Sequence, residues 1–199
     1  MNTGEWFDLF RSNSNKKIFS LNDLKVLSGE NPGTISVQLS RLSRKGMLKN
    51  PVKGWYFNPF ALPTSEEFSM VLRAPSYLSM EYALSKHGIL SQDVHTYTLI
   101  TTKLPYTYTS ENDIFEYHQI KSNLFFGYRV ENRVQIAEPE KALVDLVYIR
   151  YSRNRERNGA AVLSLIDDMY IEELNKDLIL EYSKVFSADT MEFVMKLLD

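Results

Sequence analysis

Apolar side chains recur along residues 3–57 with helical spacing, broken by polar turns. Trp6, Phe7 and Phe10 stand one and then three apart, as on one face of an amphipathic first helix over 3–11. Residues 12–17 form a polar break. Ser20 predicts an N-cap for a second helix whose stripe is Leu21, Leu24 and Leu27. Residues 28–31 are a turn in which Gly29 is free to take positive φ. Pro32 suits a first helical turn, where its missing N–H has no intrahelical partner anyway. The helix it opens is predicted over 32–45, with Ile35, Leu39 and Leu42 at i, i+4 and i+7 facing a core. Gly46 stops it. Met47 and Leu48 read as a strand entering the core, 49–54 as a basic turn and Trp55-Tyr56-Phe57 as the returning strand. A helix, a turn, a second helix and a short basic hairpin is the order of a winged helix-turn-helix.

The pattern changes after residue 57. Residues 58–65 hold two prolines and read as a linker, and 67–73 as a strand or short helix. Ser79 predicts the N-cap of a helix over 80–87 that ends at Gly88. Strand character follows at 97–102, 115–120, 124–129 and 134–137, where β-branched and aromatic residues dominate. The connections are short, which favours antiparallel pairing. Pro139 and Glu140 then open a helix with Ala142, Leu143, Leu146 and Val147 on its buried face and Lys141 and Asp145 as an i,i+4 pair. Glu138 is a poor N-cap for it. Helical pieces follow at 160–169, 171–175, 178–186 and 190–198, the last capped by Asp189. The predicted fold class is α+β: a winged helix-turn-helix over 1–60, then a mixed domain over 64–199 with a mostly antiparallel sheet and C-terminal helices.

Charge sharpens this division. Of the 23 Lys/Arg and 25 Asp/Glu, residues 1–60 hold nine and four, a balance of +5, which leaves fourteen and twenty-one, or −7, for 61–199. The front part can meet phosphates and the rear part repels them outside local patches. There is no cysteine, which excludes disulfide frameworks and thiolate metal sites. No apolar stretch approaches the ~18 residues of a membrane helix, and residues 1–5 show no signal-peptide pattern. A soluble cytoplasmic protein without a membrane contact is the expectation.

The outward face of the helix over 32–45 carries the candidate chemistry. Opposite the core stripe lie Gly33, Val37, Ser40 and Arg44, flanked by Ser36 on one edge and by Thr34 and Arg41 on the other. Small and hydroxyl residues allow close approach to base edges, and arginine can fork onto guanine or clamp a phosphate. Ser36, Val37, Ser40 and Arg41 are expected at base edges. Thr34, Arg44, Lys45, Lys49 and Lys53 are expected at the phosphate backbone, the last two from the wing. The free amides of the helix N-terminus add an anion site. Arg150, Arg153, Arg155 and Arg157 crowd a polar segment and form either a solvated loop or a second basic patch. Glu138, Glu140, Lys141 and Asp145 lack the spacing of a metal-dependent nuclease and read as a helix start with an ion pair. His87, His95 and His118 show no ligand spacing. No metal, cofactor or catalytic set is expected, and no enzyme activity.

The basic winged helix, YLSMEYALSKHGIL at 77–90, the strands, and QIAEPEKALVDLVY at 135–148 together resemble the AbiEi family over nearly the whole chain. The segment with Pro139, Glu140, Lys141, Ala142 and Leu143 is the most specific part. These are antitoxins of type IV toxin–antitoxin systems and transcriptional regulators of abortive-infection loci. The resemblance implies an N-terminal domain that binds double-stranded DNA and represses its own operon. It also implies a C-terminal domain that counteracts a nucleotidyltransferase-type toxin, typically without a tight complex. One such domain covers a single half-site, so two copies are expected on an inverted-repeat operator, as a dimer or as cooperating monomers. The alternatives are a regulator without a toxin and a protein-interaction module that blocks a toxin directly.

Overall fold

The computed structural model describes residues 1–153 and 159–198. The chain separates into two compact units, Met1–Phe68 with Thr109–Asn112, and Ser69–Tyr108 with Asp113–Asp199. Its class is α+β, with helices and a mixed sheet. No helix among the described residues is long and apolar enough to cross a membrane.

In the first unit, α1 (Thr3–Ser12) starts with a capping box between Asn2 and Glu5. Strand β1 (Ile18–Ser20) leads directly into α2 (Leu21–Ser28), which opens on a second capping box, Ser20 with Asp23. The Asp23 carboxyl feels burial pulling its pKa up. The Ser20 amide and hydroxyl and the Lys16 ammonium outweigh that and bring it below its ordinary value. Gly29 takes the left-handed C-cap conformation at φ 65°. Helix α3 (Pro32–Arg44) follows, and β2 (Trp55–Phe57) closes the unit's sheet. Trp6, Phe10, Phe19, Leu24, Ile35, Leu39, Leu42, Leu48 and Tyr56 make one buried core. The aromatic stripe of α1 and the apolar stripe of α3 therefore meet as their periodicities require.

The strand expected at Met47-Leu48 does not form. Gly46, at φ 69°, ends α3 with two bonds that bend the chain: its own N–H donates to Ser43 and that of Met47 to Leu42. The Ser43 hydroxyl then donates to the Leu48 carbonyl at 2.8 Å. The Met47 N–H and the Leu48 carbonyl are thus engaged at the helix end. Trp55–Phe57 pairs antiparallel with β1, Phe19 opposite Tyr56, and its Phe57 N–H donates to the Lys49 carbonyl at 3.0 Å. The stretch 58–65 is not a free linker at its start. Asn58 is fully buried, and its amide nitrogen donates to the carbonyls of Phe10, Asn13 and Lys16.

Helix α4 (Ser65–Leu72) carries the chain onward. The second unit is built on a six-stranded sheet ordered β5-β6-β4-β3-β8-β7. These are β3 (Ser76–Leu78), β4 (Thr96–Thr101), β5 (Tyr106–Thr109), β6 (Ile114–Gln119), β7 (Tyr128–Glu131) and β8 (Val134–Ala137). β3 pairs antiparallel with β4 and β7 with β8, whereas β3 with β8 and β4 with β6 are parallel. The sheet is thus more mixed than short connections suggested. The reason is that chain neighbours are placed apart: β5 goes to an edge, so β4 meets β6, and β8 returns to the far side of β3. The expected strand at 124–129 is displaced, because Ser122–Leu124 is a 3-10 turn and β7 begins only at Tyr128.

Helix α5 (Met80–Lys86) and α6 (Pro139–Val147) pack on this sheet, followed by a π-helical turn, Tyr148–Ser152, and by α7 (Gly159–Ile166), α8 (Lys176–Ser183) and α9 (Ala188–Leu198). Ser79 occupies the N-cap position of α5 but makes no capping bond. Its hydroxyl donates to Asp145 Oδ2 at 2.8 Å. Asp145 and Lys141 pair at 2.5 Å with neither side chain exposed, and Tyr77 joins both, accepting from Lys141 at 2.8 Å and donating to Asp145 at 2.9 Å. Burial is the dominant influence on both charges: it pushes the Lys141 ammonium's pKa down and that of Asp145 up. Ser187, not Asp189, caps α9, accepting from the Thr190 N–H.

Candidate nucleic-acid interface

The outward face of α3 is where its sequence places it. Ile35, Leu39 and Leu42 are buried, and Thr34, Ser36, Val37, Ser40, Arg41, Arg44 and Lys45 are exposed. Val37 is 50 % exposed at the centre of that surface. The helix is held by two side-chain bonds outside the apolar core: Trp6 Nε1 donates to Gln38 Oε1 at 2.8 Å, and Ser43 is tied to Leu48. An interface helix needs such anchoring, because a surface helix free to roll presents no fixed set of donors.

Residues 49–54 form a compact loop next in the chain. The Asn50 amide nitrogen donates to the carbonyls of Val52 at 3.1 Å and Trp55 at 2.7 Å. Val52 bridges to Trp55, Gly54 turns at φ 85°, and its carbonyl accepts from Leu21. Lys49 and Lys53 project from this loop and are exposed. Arg41, Lys45, Lys49 and Lys53 have no carboxylate partner among the described residues. Arg44 donates to the Ser40 carbonyl on its own helix at 3.4 Å. Five cations on one short stretch, Arg41 to Lys53, therefore remain available to anions.

The helix start is a weaker anion site than its sequence suggested. Pro32 has no N–H, the Gly33 N–H donates to Asn31 Oδ1 at 3.0 Å, and that of Ile35 donates to the Asn31 carbonyl. Asn31 thus occupies as N-cap the amides that a phosphate would use.

Of the second basic patch only Arg150 and Arg153 lie among the described residues, and each is held by its own partners. The Arg150 guanidinium donates to Glu81 at 2.8 Å and lies 3.4 Å from Glu116, and these carboxylates raise its pKa against the opposing effect of burial. Arg153 donates to the Gln119 carbonyl and lies over the Tyr148 ring. Arg155 and Arg157 fall outside the described residues. The acidic groups around the start of α6 also have structural partners. Glu138 accepts from the Tyr182 hydroxyl at 2.5 Å, and Glu140 from the Asn175 N–H at 3.0 Å. His87 Nε2 donates to the Ala137 carbonyl at 2.8 Å. No group of three His, Asp or Glu among the described residues could hold a metal ion.

Sequence reasoning missed β1, for which the apolar pair Ile18-Phe19 was the available signal. No family model matches the chain, and no curated protein matches it.

Proposed function

We propose that this chain is a sequence-specific DNA-binding repressor whose first unit is a winged helix-turn-helix. Helix α3 is its recognition helix and residues 49–54 its wing. The observation that carries this reading is the division of α3 into a buried apolar stripe and an exposed face of hydroxyls, Val37 and arginines, followed at once by a loop with two free lysines. The pairing of β1 with β2 supports it as well, because it braces the base of the wing against the strand that precedes the helix pair. Ser36, Val37, Ser40 and Arg41 meet base edges, and Thr34, Arg44, Lys45, Lys49 and Lys53 hold backbone phosphates. Two copies occupy an inverted repeat, since one small domain covers one half-site.

The resemblance to AbiEi antitoxins extends this reading: the repressed operon is the protein's own, and the second unit counteracts a nucleotidyltransferase-type toxin. A gel-shift titration on DNA upstream of its own gene tests the first part. Saturable binding that survives excess unrelated DNA is expected, and binding equal on both DNAs would overturn sequence-specific repression. Co-expression with the neighbouring gene product tests the second. Rescue of growth by the full chain is expected, and toxicity unchanged by its presence rejects the antitoxin role.

Exposed apolar residues favour one alternative, a module that docks on protein. Val26 is 74 % exposed on α2, and Leu27 and Met47 are also exposed. A stable complex with the neighbouring gene product, formed without DNA and lost on Val26→Asp, would support it.

A further inference from the structure

A cavity of about 380 Å³ in the second unit is lined by Thr102, Gln119, Ile120, Lys121, Ser122, Tyr148 and Arg153. It lies where β6 ends, beside the turn Ser122–Leu124 and the π-helical turn Tyr148–Ser152. We propose that this cavity binds the phosphate group of a small phosphomonoester of nucleotide size, with Arg153 and Lys121 as its cationic clamp.

The local charge is what sets this cavity apart. Residues 61–199 carry a net −7, yet among the described residues the side chains lining the cavity include two cations and no carboxylate. Neither cation has a carboxylate partner among the described residues, in contrast to Arg150, which is held by Glu81 and Glu116. Arg153 is also oriented. One guanidinium nitrogen donates to the Gln119 carbonyl, and the planar group lies 5.9 Å over the Tyr148 ring. A guanidinium held by one bond beside one aromatic face has part of its orientation set before a ligand arrives, which lowers the entropy lost on binding. The hydroxyls of Thr102, Ser122 and Tyr148 are further donors on the wall, suited to oxyanion oxygens. A guanidinium fork, an ammonium and hydroxyls among the residues lining one cavity supply the donor chemistry that a phosphate uses.

Size and field together select a small ligand. The volume lies at the low end of small-molecule sites, about 300–1,000 Å³. A polyanion would run beyond the two cations into the acidic remainder of the unit and be repelled. The cavity belongs to the second unit and α3 to the first, and the proposal does not depend on the DNA-binding reading.

Chemical shifts of the full chain, titrated with adenosine 5′-monophosphate, glucose 6-phosphate and inorganic phosphate at constant ionic strength, test the proposal. Saturable shifts centred on residues 119–122 and 148–153 are expected. Tighter binding of the nucleotide assigns the rest of the cavity to a base and ribose, and equal binding of all three assigns recognition to the phosphate alone. Arg153→Ala and Lys121→Ala, both at exposed positions, should each weaken binding about tenfold. Arg153→Lys should keep part of it, and Lys25→Ala in the first unit all of it. The proposal is overturned by shifts that chloride reproduces, by variants that bind as the parent does, by an equal loss in Lys25→Ala, or by shifts that only an oligonucleotide produces.

Discussion

Lys141 and Asp145, one turn apart on α6, form an ion pair that is closed to water on all sides. Three aromatic rings, those of Tyr77, Phe126 and Phe186, lie 5.0–5.3 Å from the ammonium nitrogen. The carboxylate accepts from Lys141, Tyr77 and Ser79 together. Removing two charges from water costs several kcal/mol, and here the return comes from bonds that satisfy nearly every donor and acceptor involved. The network joins β3, α5 and α6 through residues far apart in the chain.

Breaking the pair from one side should therefore be costly. Lys141→Met leaves a buried carboxylate and is expected to destabilise the protein by about 3–5 kcal/mol in urea unfolding. Lys141→Met with Asp145→Leu should cost less than the sum of the single changes, because no lone charge remains. Strict additivity would mean that the two groups do not act as a unit.

Gly127 is adapted to the same network. Its φ is +71°, and a Cβ there would lie 2.8 Å from Lys141 Cγ. Both the backbone and the space oppose a side chain. Gly127→Ala should lower stability by about 1–3 kcal/mol, and an unchanged melting temperature would contradict this packing.

On the DNA-binding reading, two cations of the first unit should behave differently. Arg41→Ala should cost about 1–3 kcal/mol on the operator and relax base choice at one position. Lys53→Ala should weaken all sequences alike and reduce the slope of log K against log salt by about 1. Operator affinity unaltered by Arg41→Ala would remove the proposed docking of α3.

His118 gives stability a dependence on pH. Burial, with Arg150 alongside, lowers its pKa from the ordinary 6.5, and the carboxylates of Glu116 and Glu81 oppose this only in part. The unfolded chain therefore takes up the proton first. The contribution of this residue to stability is complete above about 6.5 and declines as pH falls toward the lower native value. His118→Gln should flatten the pH dependence of the melting temperature below about 6.5. An unchanged slope in that variant would show that other groups set it.

Much of the first unit was legible because its signals are local. The two faces of α3 follow from 3.6-residue periodicity alone, and Ser20, Gly29 and Pro32 act on backbone groups within four residues of themselves. The same holds for Pro139 at the start of α6. Short strands were legible only in part: β3 has three residues, all buried, and β5, Tyr-Thr-Tyr-Thr, is only four residues long and mostly exposed, so no buried face marks it.

Periodicity and capping chemistry by themselves determined the helices α1, α2, α3 and α6 and which face of α3 turns outward, since both depend on neighbours one turn away. Only tertiary structure decided what depends on distant partners. Arg150 reads as a free cation until Glu81, 69 positions away, is brought to it. Ser79 reads as a helix cap until Asp145 claims its hydroxyl. Trp55–Phe57 reads as the partner of Met47-Leu48 until β1, Ile18–Ser20, is brought beside it. In each case the competing bond is long-range, and its strength depends on a desolvated geometry that no short window of sequence contains.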